Sequence, residues 1–370
     1  MFSLMVICEI IQTIAGVTLD FVGDINFDGA PKYYNNEGLC SYSKTFANVA
    51  PLFNKSDFVI GNLESPFVQE DMKKDAQREF VPLLHANPSS IDALKFAGFD
   101  IVTLANNHLN DYKTRPINYT VDLLQEHGIL SFGYSFGNLD NEQPQIPVIL
   151  EKDDIKIGFL GYCSCYKRLV DLSTGDIIFY HFCVEKRKCL NIGPAIYSDQ
   201  AATRDVKELK ERVDVIVVMM HWGEEYLTTP TESQQQQAQH LQTIGVHVVI
   251  GAHPHVLEGH TLNGRSLIAY SLGNFLFGPK YMTKVFYANP DPSKKMMEGF
   301  EKLMATSAID DNSLDSRILR VELNKQGVVR AAYIPIQISL NPKTKCLQPT
   351  PTNDTTWITV CGVDDKACLK

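Results

Sequence analysis

Residues 214–226 read DVIVVMMHWGEEY, and residues 245–255 read GVHVVIGAHPH. Each is an apolar run that ends in histidine. A run that is apolar at nearly every position, rather than at every second one, marks a strand covered on both faces, as in parallel sheets. Three earlier runs have the same form. VTLDFV leads into GDIN, DFVI into GNLE, and DIVTL into ANNH. The polar residues fall where strands end, and α/β sheets gather those ends along one edge. Residues distant in sequence can therefore share one site. Asp24, Asn62, Glu64 and Asn107 bring oxygen; His221, His253 and His255 bring imidazole. Hard oxygens combined with imidazoles are the donor set of a metal-dependent hydrolytic centre.

Outward from these runs, strand and helix alternate. Strands are predicted at 17–23, 57–61, 100–105, 129–133, 155–161, 214–221, 246–251 and 267–272. Helices are predicted at 43–54, 88–98, 115–127, 200–212 and 230–244. Pro88 opens one helix and Gly98 closes it. Thr229-Pro230-Thr231-Glu232 reads as a capping box with proline at the first helical position. The glutamine run 234–237 then falls on a solvated helix face. RILRVELN (317–324) and VVRAAYIPIQI (328–338) flank Lys325-Gln326-Gly327 and read as a hairpin. The fold class is an α/β sandwich with an antiparallel supplement. The stretch 278–316 reads as a long loop or helical excursion, and 163–195 as a cysteine-bearing insertion near the site face.

The chain has 370 residues, 44% of them hydrophobic and 21% charged, so it has ample apolar material for a core. Its net charge of -9 argues against a nucleic-acid partner, which requires a basic face. No apolar run reaches the roughly 18–20 residues of a membrane span. MFSLMVICEIIQTIAG has the apolar centre of a signal peptide, with small residues at Ala15 and Gly16, but lacks a basic start and contains Glu9. Residues 1–16 are either such a peptide or the approach to the first strand. Of nine cysteines, Cys346, Cys361 and Cys368 lie in a weakly patterned tail, 341–370, where they suit disulfides better than a core. With sequons at Asn54, Asn118 and Asn353, this favours a secreted or lumenal glycoprotein.

The motifs carry different weight. His253 and His255 stand two apart, and on an extended segment both would face one cation. His260, further on, reads as surface. His221 is either a third imidazole on that cation or a histidine bonded to Glu224 or Glu225. Glu225 is the better candidate to orient a ligand histidine from behind. In ANNHLND, Asn107 can ligate through its amide oxygen. His108 can serve as proton donor or shield a phosphate, with Asp111 orienting its ring; the competing reading is a plain turn. Asp24 and Glu64 are the carboxylates for metal, Asn62 the competing donor, and Asp28 a further carboxylate nearby. The glycines of GDIN and GNLE are expected to let the backbone turn where strand becomes loop.

Six ordered fragments over about residues 17–280 resemble the CapA/PgsA family of poly-γ-glutamate capsule-synthesis proteins, related to the calcineurin-like metallophosphoesterases. They are Gly23-Asp24, Gly61-Asn62-Leu63-Glu64, Ala105-Asn106-Asn107-His108 with Asp111, His221-Trp222-Gly223 with Glu225-Tyr226, Gly251-Ala252-His253-Pro254-His255, and Tyr270-Ser271-Leu272-Gly273-Asn274-Phe275. The resemblance implies a four-layer α/β sandwich over 17–340. It also implies one or two divalent ions, commonly manganese, iron or zinc. Asp24, Glu64 or Asn62, Asn107, His221, His253 and His255 would be ligands, and His108 the proton donor. The chain departs from the phosphoesterase pattern at Asn26, where a histidine is usual, and at Asn62, where an aspartate would bridge two metals. The basic residue that often closes the first motif is absent, with Asp28-Gly29 in that region.

The leading functional expectation is metal-assisted hydrolysis of a phosphoester or of a γ-glutamyl amide in a polyanion, so the expected partner is an anionic small molecule or acidic polymer. The alternative is an accessory protein that binds an acidic polymer without catalysis. A third reading makes the histidines purely structural.

Overall fold

Strand β1 (Val17–Ile25) shows how the layers arise. Val17, Leu19 and Phe21 enter one apolar cluster, while Val22 and Ile25 enter another. A strand that buries both faces must sit between two layers. The computed structural model describes residues 16–76, 83–136, 145–164, 166–170, 177–181, 192–280, 292–305, 311–352 and 354–362. The N-terminal stretch 1–15, most of the cysteine-bearing stretch, with Cys165, Cys183 and Cys189, and Asn353 and Cys368 lie outside the described residues.

β1 is central in a large sheet. On one side it pairs in parallel with β2 (Phe58–Leu63), then β3 (Ile101–Thr103) and β4 (Leu130–Phe132). On the other it pairs antiparallel with β16 (Asp315–Asn324), followed by β17 (Gly327–Leu340) and β18 (Leu347–Pro351). The second sheet is built around the parallel strands β7 (Ile155–Ser164), β11 (Val215–Trp222), β12 (Val248–Ala252) and β14 (Ser266–Ala269). Antiparallel strands β6 (Val148–Lys152) and β13 (His260–Asn263) form its edges.

The two sheets face each other. Leu19, Phe21 and Ile60 of the first share a cluster with Phe159, Val217, Met219, Val248 and Ile250 of the second. The outer face of the first sheet packs residues of α3 (Ile91–Ala97), α4 (Thr114–Glu126) and α7 (Lys294–Ala305). The outer face of the second packs α5 (Asp199–Lys210) and α6 (Glu232–Ile244). Helix, sheet, sheet, helix is the four-layer α/β sandwich that the family resemblance implies.

Some expectations need correction. In place of one helix over 43–54, a short 3₁₀ turn at Tyr42–Lys44 precedes α2 (Ala50–Phe53). Pro51 has no N–H for a continuous helix and sits instead at the start of a new one. The cap of α6 is Thr231, reciprocated by Gln234, so the helix begins after Pro230 rather than on it. Gln234 is consequently buried rather than solvated. The tail is also more ordered than its pattern suggests. β18 joins the sheet, and Cys346 is disulfide-bonded to Cys40 across 306 residues, with a Cα–Cα distance of 5.1 Å.

Candidate metal centre

A bulge in β1 aims the first carboxylate. Phe21 pairs with Ile60 and Asp24 with Asn62, so three steps along β1 match two along β2. Without the extra residue, Asp24 would face the helices, as Asp20 and Val22 do. Bulges re-aim side chains in this way beside functional sites. The adjacent Gly23 is not at a turn. A Cβ there would lie 1.8 Å from the carbonyl oxygen of Gly273, so only glycine lets these backbones meet. Gly61 likewise lies inside β2, where a Cβ would press on Val22 and Ile25 at 2.9 Å. Close approach, rather than turning, explains both.

The pairing brings Asn62 onto Asp24. The Asn62 amide donates to Asp24 Oδ1 at 2.7 Å, and Asp24 Oδ2 accepts from the His253 backbone N–H at 3.1 Å. Asn106, absent from the candidate list, braces this corner. It donates to Asn62 Oδ1 and to the Leu63 carbonyl, and its own Oδ1 accepts from the His108 N–H. Its signal was the first asparagine of ANNH, which reads as a turn former.

The histidines arrive from the second sheet. His221 lies in β11, and its Nε2 is 3.0 Å from Asn107 Oδ1 and 3.2 Å from His253 Nδ1. It engages these groups and Asn62 rather than Glu224 in any bond described. His253 and His255 follow β12, but the segment is not extended. Their φ angles are +95° and +59°, a region L-residues rarely adopt. A strained turn, and not strand alternation, brings the rings to 6.0 Å between centroids. His255 Nδ1 lies 2.9 Å from Asn274 Oδ1, so an asparagine from β15 (Asn274–Leu276) orients that ring. Asn274 stands in the SLGNF fragment and was not singled out. Glu225 acts on the same group through its charge, favouring protonation of His253 and His255. Half-buried His260 lies against Arg317 instead.

Glu64 is the focus. It is fully buried, and neither carboxylate oxygen has a hydrogen-bond partner among the described residues. Oε1 lies 3.9 Å from His108 Nε2, 3.9 Å from His221 Nε2 and 3.8 Å from His255 Nε2. Ligand-type atoms of Asp24, Glu64 and His255 all fall within 4.8 Å of one another. Two donor groups therefore meet at one carboxylate: Asp24 with His255, and Asn107 with His221 and His253.

Burial, then the Asp24 charge, drives the Glu64 carboxyl well above its ordinary range. Burial also pushes His221 well down and His253 down to about 4, leaving both rings neutral with lone pairs to offer. Burial opposes protonation of His255 as well, but Glu64 and Asp24 outweigh it and hold His255 at about 10. Such an acidic pocket balances its charge by holding a proton or a cation. The bare Glu64 oxygens and the mixed carboxylate–imidazole set fit a divalent metal.

Beside this group, His108 Nδ1 lies 2.8 Å from Asp111 Oδ2, which also accepts the Leu84 N–H at 2.7 Å. Asp111 thereby fixes the ring and leaves Nε2 facing the centre. Asp28 is not part of the donor set. It accepts from the Gly29 and His85 N–H groups and pairs with Lys32. The basic group beside Asp28 is Lys32, four residues further on in α1 (Ala30–Asn36).

Residues 18–279 match the family model described as "Bacterial capsule synthesis protein PGA_cap". The chain is 30% identical over 264 residues to the capsule biosynthesis protein CapA of Bacillus anthracis, covering 70% of this chain and 60% of that one. It is also 30% identical over 266 residues to the PGA biosynthesis protein CapA of Bacillus subtilis (strain 168), covering 70% and 63%. It thus spans less than two thirds of those relatives. Among solved structures, it is similar to a hypothetical protein from Thermus thermophilus, with TM-score 0.48, 13% identity and coverage of 87% of this chain and 99% of that one. A 5'-nucleotidase from Candida albicans SC5314 aligns with TM-score 0.39, 14% identity and coverage of 70% and 46%. With its two sheets, its ordered motifs and this match over most of its length, the chain belongs to the bacterial capsule synthesis protein family PGA_cap.

Proposed function

We propose that the protein is a metal-dependent hydrolase acting on a phosphoester or on a γ-glutamyl amide within an acidic polymer. The observation that carries this reading is Glu64: a buried carboxylate with two unpartnered oxygens, ringed by three imidazole nitrogens within 3.9 Å. Asp24, Glu64, Asn107, His221, His253 and His255 would hold one or two divalent ions, manganese, iron or zinc by donor type. A bound cation supplies a water acidified to a pKa near 7 and polarises the scissile group. The remaining chemistry belongs to the side chains. His108 gives a proton from Nε2 to the departing oxygen or nitrogen, while Asp111 holds Nδ1. Asn106 fixes the His108 backbone and so the height of that ring. Asn274 sets His255, and Glu225 adds negative charge that favours a cation.

One observation favours a second reading. Asn62 spends its amide on Asp24 and His221, where a carboxylate would bridge two ions. A centre with one well-held ion suits an accessory protein that binds acidic polymer without turning it over. Metal analysis of the purified protein, with turnover of aryl phosphates and of γ-glutamyl peptides, decides between them. The hydrolase reading expects bound metal and turnover, both lost in His253→Ala. Metal-loaded protein that cleaves neither substrate would leave only the binding reading. The Cys40–Cys346 disulfide supports a secreted or lumenal setting. Among the described residues, no helix is long and apolar enough to cross a membrane.

A further inference from the structure

A polar cavity of about 400 Å³ is lined by residues that are hydrogen-bonded to the segments building the metal centre. Its floor is formed by Lys32 and His85, each 6% exposed, and its rim includes Asn36, Gln69 and Lys73. The Lys32 ammonium spends one contact on Asp28 and one on His85 Nε2, at 3.3 Å. An ammonium has three protons to give, so one remains for a guest. His85 is locked from behind, with Nδ1 3.1 Å from the Tyr112 hydroxyl and 3.3 Å from Asp28 Oδ2. Among the described residues, neither the Asn36 nor the Gln69 amide makes a side-chain hydrogen bond. The acidic group on the rim, Glu70, is 87% exposed and paired with Lys73 at 2.7 Å. Ammonium and amide donors therefore converge on a cavity whose floor carries no carboxylate oxygen of its own.

Hydrogen bonds connect the cavity's floor to the His108–Asp111 pair. Asp111 Oδ2, which holds His108, also takes the Leu84 N–H, and His85 is the next residue. Tyr112, behind His85, follows Asp111 directly. Asp28 lies four residues beyond Asp24, its N–H bonded to Asn26 Oδ1 at 2.9 Å. Two segments, 24–32 and 84–85, thus contribute to both places.

We propose that this cavity is a subsite for a second anionic group of the substrate, a carboxylate or phosphate next to the one at the reacting bond. The inference rests on the hydrolase or polymer-binding reading and narrows it: the substrate carries at least two anionic groups in succession. A simple monoester would leave the cavity unused, whereas a polymer with a carboxylate on each unit would fill it.

The test is calorimetric binding of tri-γ-glutamate and of pyrophosphate to the full chain. Acetate and inorganic phosphate serve as one-group controls. Lys73→Ala alters the rim without touching the core. Asp28→Asn combined with Lys32→Met removes the floor charge as a neutral pair. Each change is expected to weaken tri-γ-glutamate or pyrophosphate about tenfold, the scale of one charge-assisted hydrogen bond, and to leave the one-group controls unmoved. The source of the anion is read from which two-group ligand responds. His253→Ala should retain this contribution, which separates the subsite from the metal centre. Unchanged affinity for both ligands in folded Lys73→Ala, or no binding of either to wild type, would overturn the subsite. Loss of turnover alone would overturn only the hydrolase.

Discussion

Asp20, in the middle of β1, and Glu64, just past the end of β2, are both fully buried carboxylates. They are treated in opposite ways. Asp20 takes two hydrogen bonds from Arg320, at 2.8 and 2.7 Å, and Trp357 lies over that guanidinium at 4.0 Å. Burial raises Asp20, and Arg320 pulls it back. Among the described residues Glu64 has no such arginine, and the imidazole nitrogens facing it stand almost 4 Å away. The fold thus gives Asp20 a hydrogen-bonded counter-ion from its own chain, whereas at Glu64 it offers the charge of His255 at 3.8 Å and, among the described residues, no hydrogen bond. On the proposed function, the difference separates a charge placed for architecture from one that would be held for a cation.

Breaking the first arrangement should have the largest effect. Arg320→Met leaves Asp20 charged and alone in the sheet, an error that costs about 3–5 kcal/mol. Denaturant unfolding should report that loss, while the metal content per folded molecule stays at the wild-type level. A loss under about 1 kcal/mol would show that the pair is not the internal counter-ion described here.

Removing the cation acts on the second arrangement alone. Anything that binds only the folded state stabilises it by mass action, about 2.7 kcal/mol at one hundred times Kd. Chelation should lower the melting temperature of wild type and of Arg320→Met by similar free energies. Glu64→Gln should remove that response. With nothing to repel Asp24, its metal-free form should be more stable than metal-free wild type by about 1–3 kcal/mol. A Glu64→Gln protein that is less stable than wild type after chelation of both would make Glu64 a structural carboxylate.

The parts of this contrast were unequally legible in sequence. Asp24, Glu64, His221, His253 and His255 could be singled out because each follows an apolar run, and strand ends converge by topology alone. The α/β sandwich followed from the same runs, and its four layers from the family resemblance. The bulge that turns Asp24 inward leaves no trace in VTLDFVGD, since it depends on register with β2. The positive φ of His253 and His255 was hidden too, because Pro254 is equally compatible with an extended segment. Asn106 read as a loop former and Asn274 carried no reading of its own, and their work is to bond groups 44 and 19 residues away. Lys32 and His85 belong to no fragment, and only the fold brings them together, 53 residues apart. The Arg320–Asp20 pair spans 300 residues, joining a polar position of an alternating strand to the one acid in an apolar run, and nothing in either stretch names the other.

Glu258 offers the finest test, because it lies between the two cases. It is buried, one oxygen accepts from Gln234 at 2.7 Å, and the other has no partner among the described residues. Burial pushes its carboxyl up to about 7, with the Gln234 bond opposing. A carboxyl raised above its unfolded value of about 4.3 binds its proton more tightly when folded. Its contribution is therefore complete below about pH 4.3 and lost as pH rises through 7. Glu258→Gln cannot ionise and keeps an acceptor for Gln234. It should match wild type near pH 4 and exceed it by about 1–2 kcal/mol at pH 8, as read by unfolding at both values. A gain of the same size at both values would mean that packing, not charge, sets the difference. No gain at pH 8 would mean that Glu258, like Asp20, has a counter-charge inside the fold.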